Sequence, residues 1–153
     1  MSAVKIKLQP WFRRSIYVVL GISWLTGLTF FIMNNWAAIE GDFGPEKHPL
    51  QFKVLVVHGA AAFLMLMIFG SMLSNHLPMA WKTNRLRKIG ITLTSFVIIQ
   101  ILSAFLLYYL SSDSVRAVVV WVHLLAGMTL PVVLTTHVLV GRQRSRSRQG
   151  KTK

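Results

Sequence analysis

The chemistry-bearing residues of this chain are four histidines set in two apolar stretches. Residues 57–78, VHGAAAFLMLMIFGSMLSNHLP, carry His58 near their start and His76 near their end, and residues 115–140 carry His123 and His137. An imidazole within hydrocarbon costs free energy unless it has a partner. Imidazole is also a common metal ligand and one of the axial ligands of haem iron. Two bound haems would account for four histidines on two apolar helices. With no Cys in the sequence, disulfides, thiolate zinc sites, iron–sulfur clusters and covalent Cys-x-x-Cys-His haem attachment are all excluded. The haem expected here is therefore held noncovalently, as haem b.

The elements that must position these residues are membrane spans. Of 153 residues, 54% are hydrophobic and four are carboxylates, and the apolar runs are about twenty residues long. The expected fold class is all-α, an integral membrane four-helix bundle occupying residues 1–141. Its helices are expected at about 15–34, 51–75, 89–110 and 115–140, followed by a basic disordered tail over 142–153. The first run is longer than a usual signal-peptide core and no A-x-A-like site follows it, so it reads as a retained helix. The net charge of +13 is carried in segments flanking the apolar runs, which points to topology and lipid headgroups rather than to nucleic acid. Of 17 Lys and Arg, four lie in the N-terminal segment, four in the second loop and six in the tail. This asymmetry predicts cytoplasmic termini in a multi-pass membrane protein.

In that topology the second and fourth helices run in the same direction. His58 and His123 each lie ~12 Å into their helices at 1.5 Å per residue, on the outer side. His76 and His137 lie near the cytoplasmic ends. His58 and His76 are 18 residues apart, five full turns, and His123 and His137 are 14 apart, about 40° short of four turns. Each helix thus presents both imidazoles on one side, and the residues sort into an outer and an inner pair. The two spans differ by ~6 Å, about one turn, which helix tilt, a kink at Pro131 or unwinding before Pro78 would absorb. Met72, 14 residues after His58, is the alternative inner ligand. The competing reading is a hydrogen-bonded helix residue for His58 and His123 and a water-facing one for His76 and His137. His48, beside Pro49, reads as a solvated loop residue.

Lys53 and Arg116 are placed to meet outer haem propionates, and Lys82, Arg85 and Arg142 to meet inner ones, with headgroup contact as the alternative. Gly59, Gly70 and Gly127 on the histidine helices leave room for a flat macrocycle, and equally for close helix packing.

The segments HGAAAFLMLMIFGSMLSNH, AWKTNRLRKIG, LLYYLSSDSVRA and WVHLLAGMTLPVVLTTHVLVGR resemble a small bacterial family of four-helix, cytochrome b-like membrane proteins, over residues 54–142. More distantly the chain resembles the di-haem core of cytochrome b of quinol–cytochrome c reductases, where two parallel helices each give two histidines to two stacked haems. The 14-residue spacing of His123 and His137 matches that pattern and the 18-residue spacing of His58 and His76 departs from it. The membrane cytochromes of formate dehydrogenases and hydrogenases also place ligands on the first helix, which here has no His. The resemblance implies an electron-transfer subunit of the bacterial inner membrane with a periplasmic redox partner, such as a c-type cytochrome.

The function expected is thus a di-haem b-type cytochrome carrying electrons between a quinol pool or cytoplasmic donor and that partner. The alternatives are a quinone-reactive oxidoreductase using Glu46, His48 or Asp113 as proton acceptor, and a haem-free anchor or assembly subunit. A proton or cation channel is disfavoured because no carboxylate falls inside an expected span. The absence of native Cys gives a direct topology test. Asp42→Cys should react with an impermeant maleimide on intact spheroplasts, and Lys82→Cys only after the membrane is opened. The reverse pattern would invert the topology.

Overall fold

The computed structural model describes residues 8–82 and 86–149, without the side chains of Asn75, Arg146, Arg148 and Gln149. The expected propionate contact Arg85 lies outside the described residues, as do the N-terminal residues 1–7 and the last four of the tail. The described chain is all-α apart from one short hairpin: α1 Pro10–Trp36, β1 Ile39–Gly41, β2 Gly44–Glu46, α2 Leu50–Lys82, α3 Arg87–Tyr109 and α4 Asp113–Gln149.

Each helix contains an 18-residue window of mean hydropathy between 2.0 and 2.2 and is long enough to cross a membrane. The shortest, α3, has 23 residues, or ~35 Å at 1.5 Å per residue, against a hydrocarbon thickness of about 30 Å. The chain therefore has the elements of a multi-pass membrane protein. Burial agrees with that solvent. Val18, Phe63, Leu102 and Val132 are each more than half exposed, whereas two polar residues, Gln51 and Ser103, are buried. A water-soluble domain would not leave apolar side chains of this size uncovered on every helix.

The helices start and stop for local reasons. Pro10 opens α1 in the first turn, where its missing N–H has no intrahelical partner to lose. Leu86, at φ 57°, turns the chain into α3. Asp113 sits in the first turn of α4, where a negative charge meets the positive end of the helix dipole. Arg116 donates to the Leu107 carbonyl, one of the last carbonyls of α3 and so without an intrahelical partner.

Three features differ from the sequence expectation. The loop after α1 holds an antiparallel hairpin pairing Ile39 with Glu46 and Gly41 with Gly44, closed by the two residues Asp42 and Phe43. Gly44 has φ 117°, which only glycine adopts without strain. Helix α2 continues through Pro78 to Lys82 instead of ending before it. Proline removes one hydrogen bond, but extending a formed helix through the following residues needs no new nucleus. For the same reason α4 runs through Gly141 and on to Gln149, into the segment expected to be disordered. Arg and Gln are good helix formers and continue an existing helix readily.

The chain divides into two compact units, Met1–Pro78 and Met79–Lys153. In the first, α1 and α2 meet in an antiparallel register: Gln51 Nε2 donates to Asn34 Oδ1 at 3.0 Å, and seven residues along each helix His58 faces Gly27. In the second, α3 and α4 pair the same way, with His123 against Gln100 and Ser103, His137 beside Gly90 and Leu86 against Gly141.

Candidate functional site

All four span histidines are half-buried. His58 and His76 lie in the first unit and His123 and His137 in the second, and each is described within its own unit.

His58 lies against α1. Its Nδ1 is 2.9 Å from the Ser23 carbonyl oxygen and 3.3 Å from Thr26 Oγ1. A carbonyl only accepts, so Nδ1 carries the proton and Nε2 carries the lone pair. Gly27 makes this possible. A Cβ there would stand 2.9 Å from His58 Cε1 and 3.2 Å from Nδ1, closer than side chains tolerate. Ala61, one turn after His58 on the same face, is 4% exposed, so this face of α2 is closely covered.

His123 sits in a network between α3 and α4. Ser103 Oγ donates to the Gln100 carbonyl at 3.1 Å and lies 2.9 Å from His123 Nδ1. Gln100 Nε2 lies 3.0 Å from His123 Nε2. One assignment satisfies all three: Nδ1–H donates to Ser103 Oγ, and the Gln100 amide donates to Nε2. Ser103 is almost wholly buried. Gly127 makes room for the amide, since a Cβ there would stand 3.0 Å from Gln100 Nε2. Gln100 Oε1 is buried with no hydrogen-bond partner. Ala126, again one turn after the histidine, is buried.

His76 Nδ1 is buried and has no hydrogen-bond partner among the described residues. His137 packs beside Gly90, whose added Cβ would lie 3.9 Å from its Cε1. Of the expected propionate contacts, Lys53, Lys82 and Arg142 are exposed, and Arg116, also exposed, holds the end of α3. Among the described residues, no three His, Asp or Glu side chains gather as a metal cluster.

Sequence reasoning named the histidines and missed the groups that hold them. Ser23, Thr26, Gln100 and Ser103 were visible as polar residues inside apolar runs, and Gln100 and Ser103 share a helix face by their spacing of three. His48 lies in the loop, as expected, and has a further contact there. Its Nδ1 accepts the Leu50 N–H at 3.2 Å and its carbonyl accepts the Gln51 N–H at 2.9 Å, so it fastens the start of α2.

Comparison with protein-family models, with curated proteins and with solved structures gives no match.

Two substitutions read out these contacts. Gly27→Ala drives the His58 ring off the Ser23 carbonyl and should destabilise the protein by about 1–3 kcal/mol. Gly21→Ala, with nothing within 4 Å, should not. Ser103→Ala removes the acceptor of a buried hydrogen bond and should cost about 1–3 kcal/mol. Detergent-solubilised unfolding midpoints, compared with wild type, measure both. Equal midpoints for Gly27→Ala and Gly21→Ala would refute the close approach.

Proposed function

We propose that the chain is a di-haem b-type cytochrome of the bacterial inner membrane. It would take electrons from a quinol pool or a cytoplasmic donor and pass them to a periplasmic redox protein such as a c-type cytochrome. His58 and His123 would hold the outer haem, and His76 and His137 the inner one. The observation that carries the reading is four imidazoles on two apolar spans, two to each span at helical spacings of 18 and 14 residues. Both termini lie on the cytoplasmic side in this reading, as the Lys and Arg distribution argues.

The donor set is compatible with the group. The local hydrogen bonds place the proton of His58 and His123 on Nδ1, which is how an imidazole is oriented and made more basic when its other nitrogen ligates iron. Among the described residues, none gives the buried Nδ1 of His76 a hydrogen bond. Bound haem supplies a one-electron couple, with bis-imidazole ligation favouring electron transfer over oxygen chemistry. The chain's own residues orient and insulate. Ser23 and Ser103 set the imidazole planes, Gly27 admits the His58 ring, and the apolar spans exclude water.

One observation favours the haem-free anchor instead: the Gln100 amide meets His123 Nε2, the nitrogen that would ligate. Ligation there requires that amide to turn aside. The two readings separate on one preparation. Purified protein should give the alkaline pyridine haemochrome spectrum of haem b at two haems per chain, and His58→Ala with His123→Ala should lower this to one. Unchanged haem in the double variant, or no haem in the wild type, would overturn the proposal.

A further inference from the structure

In the second unit the His123 nitrogen that carries the lone pair is already covered. Ser103 Oγ donates to the Gln100 carbonyl and accepts from Nδ1, so Nε2 is the ring's acceptor, and the Gln100 amide donates to it at 3.0 Å. Gln100 and Ser103 stand one turn apart on α3 and address the two ring nitrogens from the same helix. The amide fits there because Gly127 leaves the space: a Cβ would stand 3.0 Å from Gln100 Nε2. The other end of the amide is not bonded. Gln100 Oε1 is buried and has no hydrogen-bond partner among the described residues. A buried acceptor left without a donor costs more free energy than one neutral hydrogen bond contributes. The bond at His123 Nε2 is thus opposed by an orphaned oxygen on the same side chain.

We propose that Gln100 is a positioning residue that latches His123. In the haem-free chain its amide caps the Nε2 lone pair and, together with Ser103, keeps the ring in one tautomer and one orientation. Loading is then an exchange: the hydrogen bond from the amide to Nε2 breaks, and the same lone pair forms the bond to iron. No proton or electron moves in that exchange, because the amide keeps its hydrogens and Nδ1 keeps its own. A hydrogen bond that served helix pairing alone makes the opposite prediction, since its loss would loosen α3 against α4 and weaken binding at His123. As a step in haem loading the latch rests on the proposed function; as a cap on the lone pair it stands on the geometry of the second helix pair alone.

The test uses the full chain purified in detergent from haem-starved cells. Two quantities are measured: the rate at which diethyl pyrocarbonate acylates His123, followed by peptide mass spectrometry, and the affinity for added haemin, followed by absorption. The reagent reacts with the imidazole lone pair, so its rate reports whether Nε2 is covered. Gln100→Leu, similar in size and without a donor, should be acylated at His123 about three- to tenfold faster and bind haemin about three- to tenfold more tightly, the range one net hydrogen bond spans. Gln100→Asn keeps the amide but falls one carbon short of Nε2, and should match Gln100→Leu. Thr92→Val, at an exposed position of α3 whose hydroxyl bonds the Lys88 carbonyl of its own helix, should leave both quantities unchanged. Unchanged or slower acylation in the two Gln100 variants overturns the latch. Where the wild type binds haemin, affinity that stays level or falls in those variants overturns it too, and the proposed function survives. A wild type that takes up no haemin, with acylation still faster in the variants, defeats the proposed function and leaves the cap on the lone pair standing.

Discussion

A polar ring in hydrocarbon must be answered by another polar group. This constraint organises both halves of the chain. His58 is met by a backbone carbonyl at Ser23, and His123 by the side chains of Ser103 and Gln100. Each solution needs a glycine, because a ring or an amide can approach the opposing helix only where a Cβ is missing. Gly27 serves the first and Gly127 the second. The polar groups, their partners and the small residues beneath them are thus one device used twice.

The same device sets the helix pairing. In lipid, the hydrophobic effect inserts helices but does not choose which faces meet, so association rests on close packing and interhelical hydrogen bonds. In the first unit Asn34 with Gln51 and Gly27 with His58 fix a single antiparallel register. In the second, Gln100 and Ser103 with His123, then Gly90 with His137, then Leu86 with Gly141, do the same along the length of α3 and α4. Apolar side chains such as Phe63 and Val132 stay outside. Gln51 and Ser103 are among the buried side chains of the described residues, the reverse of a water-soluble core.

The number and approximate placement of the helices were legible in the sequence because a membrane span advertises itself by length and hydropathy alone. The ends were less legible. Pro78 and the RQRSRSRQ segment look like breaks when read as composition, yet a helix already formed extends across them at low cost. The hairpin at Ile39–Gly41 and Gly44–Glu46 escaped notice because three-residue strands show no alternation to detect. The histidines were readable as residues in the wrong solvent. Their partners were not, since one helix's periodicity gives a face but never the register of the neighbour that covers it. Gln100 and Ser103 announced a polar face on α3, whereas Ser23 acts through its carbonyl, which no sequence pattern marks. His48, read as a loop residue, is one, and from the loop it also pins the first turn of α2.

The proposed redox role follows from asking why two spans should carry two imidazoles each. Hydrogen bonding accounts for the tautomers of His58 and His123; it leaves the lone pair on Nε2 of His58, whereas Nε2 of His123 meets the Gln100 amide. It gives no account of the buried Nδ1 of His76. The most direct measurement of the central claim is low-temperature electron paramagnetic resonance of the oxidised, purified protein. Bis-imidazole ligation predicts low-spin ferric signals, one of which disappears when His123 alone is replaced by alanine. A spectrum without ferric haem, or with only high-spin iron indifferent to that substitution, would contradict it.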